Sequence, residues 1–253
     1  MDSDYHKIER LAAQFGLVIR GGFNATAEDN VPAIAEDAEV RSLILFGNAG
    51  SSIWSNFSAS SEYHDGLADP MNRWSERIGD EIASELKGRA LFPFGGPPYR
   101  PFIQWAKKAE SLGNSRLGML IHPEYGLWHA YRFGIALPES FSEFETISNA
   151  GNFAANKHQG FSALCASCAD QPCLDACPVS AFSSEGYDVE GCYGFLKINP
   201  DSDCRNHTCS ARLACPEGLS FNYEKAHARF HMDAFFANIS ERYQTEVENG
   251  AES

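Results

Sequence analysis

Cys165-Ala166-Ser167-Cys168-Ala169-Asp170-Gln171-Pro172-Cys173-Leu174-Asp175-Ala176-Cys177-Pro178 is the stretch whose reading decides the fold. Four cysteines fall in one short run that closes on Cys-Pro. Four more follow at Cys192, Cys204, Cys209 and Cys215, the last again followed by a proline, Pro216. All eight cysteines of the chain lie between positions 165 and 215. The N-terminus, Met1 to His6, has neither the basic region nor the apolar run of a secretory signal. No segment approaches the roughly 20 apolar residues that span a bilayer. A cytoplasmic chain with no membrane association is therefore expected. In a reducing compartment, an even, clustered set of cysteines reads as a metal module rather than a disulfide framework.

The run from Cys165 to Pro178 resembles the bacterial ferredoxin pattern, with a middle gap of four residues in place of two. Proline after the last cysteine of each set removes a backbone donor and fixes φ, turning the chain beside the ligand. In two-cluster ferredoxins the fourth cysteine of each run serves the other cluster. The resemblance therefore implies two [4Fe–4S] clusters, one held by Cys165, Cys168, Cys173 and Cys215, the other by Cys177, Cys192, Cys204 and Cys209. Two four-thiolate zinc sites would also consume all eight thiols. Such sites, however, show two closely spaced cysteine pairs apiece, and the second set is too spread for that. His207, inside the Cys204–Cys209 gap, reads as a loop histidine near the cluster rather than a ligand. Thiolate-bound clusters change by one electron with little rearrangement, so the module implies electron transfer with a redox partner as donor.

Outward from the module, the chain has 253 residues, 43% hydrophobic, and a formal charge of −14. That charge argues against nucleic acid and anionic membranes, which select basic patches. Residues 1–150 read as an α+β domain. Helices are expected from Tyr5 to Phe15, after Asp69-Pro70 along the stripe Trp74, Ile78, Ile82 and Leu86, and from Arg100 to Leu112. Strands are expected at Leu17–Arg20, ended by Gly21-Gly22, at Arg41–Phe46 and at Arg89–Phe94. A strand pair is expected in Leu117–Leu137 around Glu124-Tyr125-Gly126. Polar, aperiodic sequence at 149–159 marks the domain boundary. The cysteine module is placed at 160–220 and a C-terminal helix and tail at 221–253. Gly47 to Ser52 reads as a plain turn, with a phosphate cradle as the alternative.

The segment Leu117-Gly-Met-Leu-Ile-His122-Pro123-Glu-Tyr125-Gly126-Leu-Trp128 resembles the His-Pro-x-aromatic-Gly-x-Trp segment of CblC-type cobalamin-processing proteins, and Tyr131 to Pro138 continues the likeness. The chain is similar over Arg89 to Cys215 to epoxyqueuosine reductase, in which a corrin domain precedes a two-cluster module of like cysteine order. Both families share a flavin-nitroreductase-like fold. The resemblance implies cobalamin as a second cofactor, contacted by His122, Tyr125, Trp128 and the loop Gly95, Gly96, Pro97 and Pro98, with Ser51, Ser52 and Trp54 as further contacts. Read without it, His122 is a strand-end histidine satisfied by backbone. The chain departs from epoxyqueuosine reductase at Phe94, which stands where that family's acidic proton donor falls, and it lacks the long tRNA-recognition extension. The expected function is thus a cobalamin-binding iron–sulfur oxidoreductase of the cobalamin reductase or decyanase type. The alternatives are a ferredoxin-type carrier without corrinoid, and a corrinoid-dependent reductase of an organic substrate, with Tyr99 or Tyr125 as proton donor.

Overall fold

The computed structural model describes residues 4–36, 38–144 and 162–250, the side chains of 244–250 excepted. The stretch 149–159, where the domain boundary is expected, lies outside the described residues. The chain divides into two compact units. The first comprises residues 1–112 and 128–154, and the second residues 113–127 and 155–253. The segment carrying His122 and Tyr125 thus folds with the cysteines, and Trp128 with the first unit.

The first unit is built on a four-stranded antiparallel sheet of order β1-β2-β6-β3: β1 Val18–Asn24, β2 Ser42–Ala49, β3 Arg89–Leu91 and β6 His129–Leu137. Two short strands, β4 Gly113–Asn114 and β5 Leu120–Ile121, intervene in sequence and belong to the second unit. β2 is central, and Leu43, Ile44, Leu45 and Phe46 are completely buried, as an uninterrupted apolar run requires. Phe46 stacks on Phe133 of β6 with ring centroids 5.1 Å apart. The helix Pro70–Glu85 buries Trp74, Ile78 and Ile82 and packs on β3 and β6, while the helix Phe102–Ala109 buries Trp105 and packs on β1.

Four local expectations change. The glycine pair does not end the first strand: β1 runs on to Asn24, with a bulge between Ile19 and Gly22. Gly21 there takes φ +74, and a Cβ on it would stand 2.4 Å from the Ala109 carbonyl oxygen. β2 likewise continues through Ala49, with a register shift at Gly47, and the chain turns only at Gly50. The strand expected at Arg89–Phe94 stops at Leu91, two residues before Pro93, which has no N–H to give a ladder. Asp69 precedes Pro70 at the helix start but sits at φ +51, and its side chain makes no capping bond.

Among the described residues the second unit has no extended sheet. Its strands are two residues long: β4 pairs with β5, and Phe182–Ser183 (β7) pairs with Gly186–Tyr187 (β8). Short helices at 163–167, 172–175, 203–206 and 210–213 carry or flank the cysteines, together with a longer one at Val189–Ile198. A long helix, Lys225–Gly250, ends the described chain. The pair expected within Leu117–Leu137 is not one hairpin, because β5 pairs with β4 whereas β6 joins the large sheet. The turn at Glu124-Tyr125-Gly126 does form, closed by reciprocal backbone bonds between His122 and Gly126. Among the described residues no helix is long and apolar enough to cross a membrane.

Candidate metal centre

The second unit's core gathers Leu117, Ile121, Leu127, Ala211 and Cys215, with Cys165, Cys173, Cys177 and Cys209 packed against it. All eight cysteines are free; Cys204 and Cys215 are buried and the other six half-buried. Their neighbourhoods sort into two groups. Burial pushes the Cys173 thiol up, and Cys165 and Cys168 add to the shift. Cys215 is raised by burial and then by Cys165 and Cys173. Burial also raises Cys192, with Cys177 and Cys204 adding, and lifts Cys209 to about 11, with Cys204 and Cys192 adding. Cys173 and Cys215 thus have Cys165 and Cys168 or Cys173 as neighbours, and Cys192 and Cys209 have Cys177, Cys204 or Cys192. Unpaired thiolates in such surroundings would be costly, so the donor set suits a cationic metal group that keeps the sulfurs deprotonated.

Cys177, Cys192, Cys204 and Cys209 line a cavity of about 470 Å³, whose wall includes no cysteine of the other set. Its remaining lining is mostly apolar, with Phe182, Phe195, Leu196 and Met232 among it. Among the described residues no three His, Cys, Asp or Glu side chains converge closely enough to hold a single metal ion. A cubane makes a different demand, one thiolate at each of four separate corners, and a roomy cavity with four sulfurs on its wall meets it. His207 is half-buried after the 203–206 helix and does not line this cavity.

Sequence reasoning did not single out several polar groups at the cavity. Ser210, Tyr187, Arg212 and His231 line it. Ser210 Oγ lies 3.1 Å from Cys204 Sγ, and Tyr187 stands beside Cys192 and favours its thiolate. His231 pairs with the fully buried His227 through Nε2 atoms 3.1 Å apart, and Tyr223 stacks on His227 at 4.1 Å. The Arg212 guanidinium sits over the Tyr223 ring and donates to the Leu127 carbonyl at 2.6 Å. The available signals were the Ser directly after Cys209 and the four-residue spacing of the two histidines on one helix.

The residues expected to touch a corrin are divided. His122 and Tyr125 lie in the second unit. There His122 Nδ1 accepts the backbone N–H groups of Glu124 and Tyr125 at 3.0 and 3.1 Å, and its ring stacks on Tyr125 at 4.3 Å. Gly126 and Gly218 bring this turn against the segment after Cys215: a Cβ on Gly126 would stand 2.0 Å from the Glu217 carbonyl oxygen. His122 thereby shapes a turn that braces a cysteine-bearing strand of chain. In the first unit, Trp128 is completely buried, and Trp54 is buried against Phe57 and Tyr63. Ser51 and Ser52 belong to a plain turn before a five-residue helix. Gly95, Gly96, Pro97 and Pro98 form an open loop before Tyr99, which is 69% exposed.

No family model and no curated protein matches the sequence. Among solved structures, the chain is similar to a selenomethionine-labelled epoxyqueuosine reductase, at 18% identity and a TM-score of 0.39, covering 75% of this chain and 52% of that one. It is similar to an epoxyqueuosine reductase bound to a tRNA-Tyr stem loop, at 17% identity and a TM-score of 0.41, over 87% and 65% of the two chains. It is similar also to the enzyme from Bacillus subtilis with its catalytic loop swung out, at 19% identity and a TM-score of 0.40, over 88% and 60%. The chain thus spans about half to two thirds of these proteins. Scores this low leave fold and function to be argued from the chain's own residues.

Proposed function

We propose that this chain is an iron–sulfur oxidoreductase in which Cys165, Cys168, Cys173 and Cys215 hold one [4Fe–4S] cluster and Cys177, Cys192, Cys204 and Cys209 hold a second. The observation that carries this reading is the single cavity walled by one complete set of four thiols. When bound, such clusters supply one-electron chemistry. The protein's part is to present eight thiolates, keep water off them with Phe182, Phe195 and Leu196, and aim N–H and O–H groups at the sulfurs.

The electron acceptor in this reading is a corrinoid, reduced at cobalt with loss of an upper ligand. Its support is the sequence likeness of Leu117–Trp128 to cobalamin-processing proteins. With it goes the finer fold reading of a flavin-nitroreductase-like domain, a ferredoxin-like module at 160–220 and a C-terminal helix. A cytoplasmic location and the absence of a nucleic-acid partner belong to the same proposal; the charge of −14 supports the latter. The test is anaerobic purification with iron, sulfide and corrin quantified on one sample, followed by cobalamin added under reducing conditions. Two cubanes' worth of iron and sulfide, with a spectral change in the cobalamin, is the expected result; zinc in place of iron would end the proposal.

One observation favours a second reading, an electron carrier that binds no corrinoid. His122 spends its Nδ1 and a ring face within its own turn, and Trp128 has no exposed surface. That reading gives the same iron and sulfide content and a cobalamin spectrum that does not change.

A further inference from the structure

The two sets of cysteines are not equivalent in what reaches their sulfurs. Beside the set Cys165, Cys168, Cys173 and Cys215, the groups that favour a thiolate are backbone amides, those of Cys173 and Leu174 at Cys173 and that of Glu217 at Cys215. The other set has backbone donors too. Ala181 N–H points to Cys177 Sγ at 3.3 Å, and the amides of Ala211 and Arg212 favour the Cys209 thiolate. A carboxylate stands near each set, Glu217 beside Cys215 and Asp188 beside Cys192, so these nearby negative charges roughly match.

What differs is a pair of hydroxyls. Ser210 Oγ lies 3.1 Å from Cys204 Sγ. A thiolate can only accept, so once Cys204 ligates a metal this bond must run from Ser210 O–H to sulfur. Tyr187, on the β7–β8 hairpin, lines the same cavity wall as Cys192, its ring held flat against Phe182 at 4.7 Å and an interplanar angle of 9°. Both residues line the cavity of Cys177, Cys192, Cys204 and Cys209.

We infer that Ser210 and Tyr187 are positioning residues that give the cluster held by Cys177, Cys192, Cys204 and Cys209 the higher reduction potential of the two. The inference rests on the two-cluster reading above. Reduction adds one negative charge that spreads onto the sulfurs. An O–H dipole aimed at a sulfur stabilises that charge more than it stabilises the oxidised form, so the potential rises. No proton or bond is transferred in this effect. At equilibrium, the first electron accepted from a low-potential one-electron donor resides at the Ser210–Tyr187 end of the module.

The test is an anaerobic redox titration of the full chain, followed by electron paramagnetic resonance, on wild type, Ser210→Ala, Tyr187→Phe and the double variant. Each substitution deletes one hydroxyl and leaves the backbone intact, and iron and sulfide are quantified on every sample. Wild type is expected to show two midpoints. The higher should fall in each single variant and fall further in the double, by about tenfold or more in its reduction equilibrium, which is 59 mV for one electron. The lower midpoint should stay in place. Unmoved midpoints, or movement of the lower one, in samples with full iron and sulfide would overturn the inference while leaving the two-cluster reading intact. Wild-type protein without two clusters would remove both.

Discussion

At Gly126 the backbone takes φ +55, and a side chain would meet the Glu217 carbonyl oxygen at 2.0 Å. Gly126→Ala therefore combines left-handed strain with a clash against backbone, and should destabilise the second unit by more than about 1 kcal/mol. Its midpoint in chemical denaturation and its retained iron should both fall; retention of both would mean that the close approach is not needed. Glu62 shows a different residue-level effect. The Arg77 guanidinium, 2.5 Å away, holds its carboxyl down at about 2, against an ordinary value of 4.5. A carboxyl depressed on folding stabilises above its unfolded value, and that contribution is lost as pH falls from about 4.5 towards 2. Glu62→Gln should cost about 1 kcal/mol at neutral pH. The gap between variant and wild type should close through that acid window when urea midpoints are compared. At the residue scale the reading of His122 as a strand-end histidine satisfied by backbone holds, whereas the approach of Ser210 to the Cys204 sulfur depends on side-chain directions that no local pattern gives.

At the level of elements, β1, β6 and the end of the 102–109 helix are tied by a buried polar group. Arg20 of β1 is fully buried and pairs with Glu110 at 2.8 Å. It also donates to the Asn48 carbonyl at 3.2 Å, and Tyr131 of β6 donates its hydroxyl to Glu110. Burial and the Glu110 carboxylate together push the Tyr131 hydroxyl up, so it stays a donor. Arg20→Ala would strand the carboxylate of Glu110, 12% exposed, without its cation. The expected cost is about 3–5 kcal/mol in denaturant unfolding of the first unit. Replacing Arg20 and Glu110 together by apolar residues should recover much of it; failure to recover would mean that the pair fixes the packing rather than merely balancing charge. β2 was legible because an unbroken apolar run can only be buried. The length of β1 was not, because a glycine pair signals a turn as readily as a bulge, and only the partner strand decides between them.

Across the whole molecule, the two units differ in what holds them. The first has a continuous sheet and a large apolar core, whereas in the second the cysteines sit among a small core, two-residue strands and helices of four or five residues, too short to persist alone, beside the longer helices Val189–Ile198 and Lys225–Gly250. Iron removal by a chelator should therefore unfold the second unit selectively. Hydrogen exchange should show Leu196 and Ala211 amides losing protection while Leu43–Phe46 keep theirs; equal loss in both would show that the units are not independently stable. Apart from the division of the cysteines into two sets of four, which the likeness to two-cluster ferredoxins implies, the sequence by itself determined the cysteine module, the central strand and the main helices. Each of these follows from local spacing or from an apolar run long enough to demand burial. Tertiary structure alone decided that residues 113–127 join the cysteines, that Trp128 is buried in the first unit, that the Ser210 hydroxyl meets the Cys204 sulfur, and that a buried arginine ties β1 to β6. Those features arise from contacts between residues far apart in the chain, and no local pattern encodes which distant surface a side chain will meet.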